Sequence, residues 1–188
     1  EALSYIRQIC GALQYLHSRN RLHLDIKPGN IMLNSLGHAV LIDFGVSKHY
    51  SEQTNSNDTT LLGKSIGYAP IEQLDNEVKN FSPSTDIYSL GATLYKLVTG
   101  ITPPSASELI SNDLDLSFVN ISYSIKNILL ACMKPRKQDR PQNIMSLLAL
   151  IDSFTDTTAI ADSIVAKSPD KMTLSECDNT GVNYWAKG

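Results

Sequence analysis

The residues best suited to chemistry are gathered in one short stretch, His23-Leu24-Asp25-Ile26-Lys27-Pro28-Gly29-Asn30, and in the triplet Asp43-Phe44-Gly45, with Asp43 eighteen residues after Asp25. A carboxylate, an ammonium and an amide on one loop, with a second carboxylate at a strand end, suit the holding of metal-bound phosphates beside a hydroxyl. Asp25 can accept a hydroxyl proton and orient a nucleophile, a modest demand because phosphoryl transfer depends on positioning more than on strong base. Lys27 places a cation where negative charge develops. Asn30 and Asp43 offer oxygen ligands to Mg²⁺, which prefers oxygen and keeps several waters. Taken singly, Asp25 and Asp43 read equally well as turn residues, Lys27 as a solvated charge and Asn30 as a cap. Their joint spacing favours the chemical reading.

The elements that must position this set are legible as periodicity. Leu3, Ile6, Cys10, Leu13 and Leu16 recur at steps of three and four, one face of a helix of about four turns that ends at Arg19-Asn20. Pro28 and Gly29 break any regular element, which leaves the polar side chains around them on a loop. Residues 31–33 and 39–42 flank Asn34-Ser35-Leu36-Gly37, the pattern of a small hairpin beside that loop. Residues 50–64 are polar and without period, which predicts a mobile surface loop. Ser82-Pro83 starts a helix that Gly100 ends, and its small and apolar residues run round most faces, the mark of a central, buried helix. Further helical patterns cover 125–133 and 144–154, separated by Pro135 and Pro141. From 155 to 188 the chain turns polar and reads as a tail or linker.

Composition narrows the function classes. The 188 residues are 42% apolar and 19% charged, with 16 Lys and Arg against 19 Asp and Glu for a net charge of −3, material for one packed domain and a remainder. Without a long basic block, nucleic-acid binding is not expected, although Lys134, Arg136 and Lys137 form a local basic patch. The longest apolar stretch, 144–151, falls far short of the roughly 20 residues that span a bilayer. Cys10, Cys132 and Cys177 are odd in number and lack metal spacing, which points to a reducing, cytoplasmic setting, with Cys10 a core residue on its helix face. His17, His38 and His49 also lack metal spacing and are expected in surface or packing roles. The chain opens at Glu1, directly in a helical pattern, and reads as a piece of something longer.

The motifs resemble the eukaryotic-type protein kinase family, in a form close to bacterial Ser/Thr kinases. His23 to Asn30 is similar to the catalytic loop H-R-D-x-K-P-x-N, and Asp43-Phe44-Gly45 to the D-F-G metal motif. Gly67-Tyr68-Ala69-Pro70-Ile71-Glu72 resembles the segment G-Y-A-P-P-E-Q, with Ile71 in place of the second proline. Asp86-Ile87-Tyr88-Ser89-Leu90-Gly91 resembles D-x-W-S-x-G, and Arg140-Pro141 matches the arginine that pairs with the glutamate numbered Glu72 here. Five motifs in order are far more specific than any one alone.

The resemblance implies a mainly α fold: a kinase C-terminal lobe over 1–154 with a small β-hairpin beside the catalytic loop, and no N-terminal lobe. It implies a protein Ser/Thr kinase using ATP and Mg²⁺ on a protein substrate, inactive without that lobe. Asp25 and Lys27 would be catalytic, Lys27, Asn30 and Asp43 would bind the cofactor, and Asn30 and Asp43 the metal. Ser65 aligns with a hydroxyl residue near the catalytic aspartate. His23 resembles a buried histidine packed on Phe44, and Glu72, Asp86 and Arg140 would be structural. Lys27 two residues after Asp25 favours Ser/Thr over Tyr substrates. A module from another class, a pseudokinase kept for protein interaction, is the alternative. Two departures stand out. Leu24 occupies the usual arginine position, so phosphate on Thr59 or Thr60 would find no partner there. No Gly-rich loop or V-A-I-K lysine is present, which leaves one wall of a nucleotide cleft and an uncovered apolar surface.

Overall fold

A computed structural model describes residues 1–43, 48–49, 65–74 and 81–165, with only the backbone of 48–49 and 155–165. Residues 50–64, expected as a surface loop, lie outside the described residues, as do Phe44, Thr59 and Thr60.

Helix α1 (Ala2–His17) buries Ile6, Ile9, Cys10 and Leu13, the face its spacing predicts. A two-residue strand β1 (Arg21–Leu22) leads into the 23–30 loop, whose end winds into a 3₁₀ turn, Pro28–Asn30, with proline in the first turn where its missing N–H costs nothing. Strands β2 (Ile31–Leu33) and β3 (Ala39–Leu41) form the expected antiparallel hairpin, with Ile31 opposite Leu41 and Leu33 opposite Ala39. The Asn34 carboxamide oxygen closes its turn by accepting from Leu36 N and His38 N, each at 2.9 Å. Gln8 Oε1 accepts from Ala39 N at 2.8 Å, which fastens the hairpin to α1. Strand β4 (Lys48–His49) pairs antiparallel with β1, a contact that two-residue segments do not announce.

After the short α2 (Ile71–Leu74) comes α3 (Pro83–Thr99), the centre of the fold. It begins with a capping box in which Ser82 and Thr85 each satisfy the other's backbone, and it ends at Gly100 in the left-handed region at φ 71°. Every residue from Ser84 to Tyr95 is buried, so the helix is enclosed on all sides, as its composition predicts. Gly91 is where α5 comes closest: a Cβ there would lie 2.5 Å from Cys132 Cβ, so the approach requires glycine. The short α4 (Glu108–Ser111) precedes α5 (Tyr123–Cys132), and α6 (Ile144–Val165) closes the domain. One core cluster joins α1, α3, α5, α6 and the hairpin.

Helix α6 runs on to Val165 where the polarity of the sequence beyond Thr155 predicts a tail. Polar side chains are compatible with helix. What ends helices is glycine and proline, and neither occurs from Asn143 to Lys167. No helix among the described residues is long and apolar enough to cross a membrane.

Candidate active site

The backbone of the 23–30 loop is held by α3. Asp86, fully buried in the first turn of that helix, accepts from His23 N at 2.9 Å through Oδ2 and from Leu24 N at 2.9 Å through Oδ1. On the other side of the peptide, Gln73 of α2 donates through Nε2 to Leu24 O at 2.6 Å. Leu24 is clamped between them at φ 66°, in the left-handed region that a leucine seldom occupies. Its side chain is only 2% exposed and packs with Leu22 and Phe81, apart from the main core. His17, at the end of α1, places Nε2 2.8 Å from Asp86 Oδ2, while its Nδ1 is buried without a hydrogen-bond partner. His23 is fully buried as expected, with Nε2 donating to Ile42 O at 3.2 Å and Nδ1 accepting from Asp25 N at 3.3 Å.

This clamp presents Asp25 to a compact polar network. Ser65 donates through Oγ to Asp25 Oδ1 at 3.0 Å, and Lys27 Nζ lies 2.9 Å from Asp25 Oδ2 while donating to Ser65 Oγ at 3.0 Å. Asn30 donates through Nδ2 to Asp25 Oδ2 at 2.8 Å and to Asp25 O at 2.7 Å, which leaves its carboxamide oxygen for another partner. Four of the expected site residues, Asp25, Lys27, Asn30 and Ser65, are thus brought together. Asp43 comes next after the hairpin bond that ties Ile42 N to Asn30 O at 2.9 Å, and it stands exposed at φ 61°. Asn30 and Asp43 provide oxygen donors only, a set that fits Mg²⁺.

The segment bearing Ser65 is fixed at several points. Ser89 Oγ donates to Tyr68 O at 2.8 Å. Gly67, at φ 88°, lies so close to the α3–α4 connection that a Cβ would stand 2.6 Å from Pro103 O. Glu72 and Arg140 form a bidentate pair at 2.8 and 2.9 Å. Arg140 also donates to Lys134 O, Ser84 O and Pro135 O, so all five of its N–H groups are used. Its guanidinium lies 5.0 Å from the Tyr88 ring centroid. Tyr88 stands where the resemblance has tryptophan, and its hydroxyl, buried without a partner, is pushed up above the usual phenol range by that burial.

His17, for which the sequence predicts only a surface or packing role, and Gln73, which carries no signal of its own, both act as positioning groups. His17 looks like an ordinary polar residue in a last helical turn, and only the approach of α3 gives it a partner. Gln73 follows Glu72 within the recognised motif, but its hydrogen bond to Leu24 is a tertiary contact.

Comparison with known proteins shows the family. Residues 1–154 match the family model described as protein kinase domain. The chain is 32% identical over 177 residues to MAP kinase kinase MKK1/SSP32 of Saccharomyces cerevisiae, covering 94% of this chain and 30% of that protein. It is 35% identical over 141 residues to serine/threonine-protein kinase Sgk1 of Rattus norvegicus, covering 72% and 32%. The chain belongs to the protein kinase family. It spans about a third of the length of these curated relatives.

Replacing Arg140 by Ala leaves the Glu72 carboxylate buried and uncompensated, so stability is expected to fall by about 3 kcal/mol. Chemical denaturation reads this directly. An unchanged unfolding midpoint would contradict the structural role of the pair.

Proposed function

We propose that this chain is the larger, mainly helical lobe of a protein serine/threonine kinase, which transfers the γ-phosphoryl group of ATP to a Ser or Thr hydroxyl of a protein. The observation that carries this reading is the network joining Asp25, Lys27, Ser65 and Asn30. Asp25 orients the attacking hydroxyl and receives its proton, while Lys27 holds positive charge beside the transferring group. Asn30 fixes the Asp25 rotamer by donating to its carboxylate and its carbonyl, which matters because a misplaced base loses its alignment with the hydroxyl. Mg²⁺ held by Asn30 and Asp43 would neutralise phosphate charge when bound.

The wall of the nucleotide cleft that covers ATP belongs, in this reading, to a second, N-terminal lobe, and residues 1–188 alone transfer no phosphoryl group. A cytoplasmic, reducing setting accords with Cys10 and Cys132, free thiols that burial pushes up to about 12 and so keeps unreactive. An interaction module that retains the fold has no physical need for an assembled Asp25 network, which favours the enzyme.

Regulation follows from Leu24. Its side chain is sealed in an apolar cluster and offers no donor, so a phosphate on Thr59 or Thr60 finds no cation at position 24, and Lys27, the cation of the same loop, is engaged by Asp25 and Ser65. Lysines within the same segment would contribute only about 0 to 1 kcal/mol each. Loop phosphorylation is therefore not the switch.

In the full-length protein, Asp25→Asn is expected to lower kcat by about a hundredfold or more without shifting the melting temperature. Near-normal kcat with ATP and Mg²⁺ would overturn the role of Asp25. Thr59→Ala/Thr60→Ala is expected to keep kcat/KM within about threefold of wild type, whereas a loss of about tenfold, or about 1.4 kcal/mol, restored by Glu at both positions would reveal a phospho-switch.

A further inference from the structure

An open groove of about 570 Å³ lies between the last turns of α3 and the α4 region. Tyr95 and Leu109, both buried, form its apolar floor, and Phe118, 54% exposed, stands on its rim. The carboxylates of Glu108, Asp113 and Asp115 line it, and no lysine or arginine does. Hydrogen bonds from Ser105 hold Glu108 below the usual carboxylate range, and the Ser117 N–H does the same for Asp115, so both are anionic at neutral pH. Lys126 acts on Asp115 through space, yet among the described residues none of the three acids is in an ion pair.

The groove adjoins the segment that bears Ser65. Thr102 and Pro103 line it, and these are the residues against which Gly67 packs, two positions after the serine bound to Asp25.

We propose that this groove docks a lysine- or arginine-bearing segment of the protein substrate, remote from the hydroxyl to be modified, an assignment that rests on the kinase reading above. The apolar floor and Phe118 take the aliphatic side chains of the segment, where burial supplies affinity. The acidic rim meets its cations, which sets orientation and raises the rate of encounter more than it tightens binding.

The probe is a fluorescein-labelled peptide alternating Arg and Leu, titrated against the full-length protein by anisotropy beside same-length peptides alternating Glu and Leu or Ser and Leu. The Arg peptide is expected to bind about tenfold tighter than either other peptide and to weaken with added salt. Asp113→Asn/Asp115→Asn, and separately Phe118→Ser, should each weaken it by about tenfold. Equal affinity for the three peptides, or binding unaltered in both variants, would overturn the assignment. Joining the Arg-Leu segment to a serine-bearing peptide is expected to lower KM for phosphorylation in the wild type and not in the double variant. Phosphorylation that gains nothing from the segment contradicts docking. Binding of the Arg peptide without phosphorylation of any peptide contradicts the kinase reading and leaves the groove as the site of a basic partner.

Discussion

The buried carboxylate of Asp86 accepts two backbone hydrogen bonds from the loop that carries Asp25, and the remainder of the site takes its shape from that fact. Leu24 in the left-handed region costs about 1–3 kcal/mol. A hydrogen bond to a charged group contributes about 1.5–3 kcal/mol, so the two that Asp86 accepts outweigh the strain. Gln73 secures the same residue from its carbonyl side, and the small Leu22, Leu24 and Phe81 cluster adds apolar burial. The strained turn is over-determined, and its effect is to aim Asp25 at Lys27 and Ser65.

Helix α3 can deliver Asp86 because it is itself immobilised. Its first turn is capped by Ser82 and Thr85, its middle is enclosed by α1 and α5, and its Ser84 carbonyl is bound by Arg140. Arg140 also pairs with Glu72, one residue before Gln73. A single guanidinium therefore fixes two partners of the 23–30 loop at once: the start of α3 and the segment from which Gln73 reaches Leu24. The serine that touches Asp25 lies on that segment too, held down by Ser89 and by the contact of Gly67 with Pro103. The Ser65 segment and the 23–30 loop share one set of anchors.

Much of this was legible in the sequence where the signal is local or carried by a motif. Ser82-Pro83 and Gly100 bound α3 because caps are local chemistry, and the hairpin follows from two apolar runs round a turn. Resemblance placed Asp25, Lys27, Asn30, Ser65, Glu72 and Arg140, and the geometry unites them in two clusters. What was not legible depends on contacts remote in sequence: the pairing of β1 with β4, the partner of His17, and the hydrogen bond of Gln73 to Leu24. The continuation of α6 to Val165 is hidden for another reason: its polar residues resemble a tail, while the absence of glycine and proline lets the helix run on. The groove at α4 carries no motif, because it is made by turns whose residues meet only in the fold.

Amide hydrogen exchange at His23 and Leu24 in Asp86→Asn, beside the wild type, tests the central claim most directly. The asparagine keeps the size of the side chain but retains one acceptor oxygen instead of two, so at least one of the two amides loses its partner. The account predicts that protection at these amides falls by about tenfold or more while the middle of α3 keeps most of its own. Unchanged protection at both amides, or an equal loss throughout the chain, would contradict it.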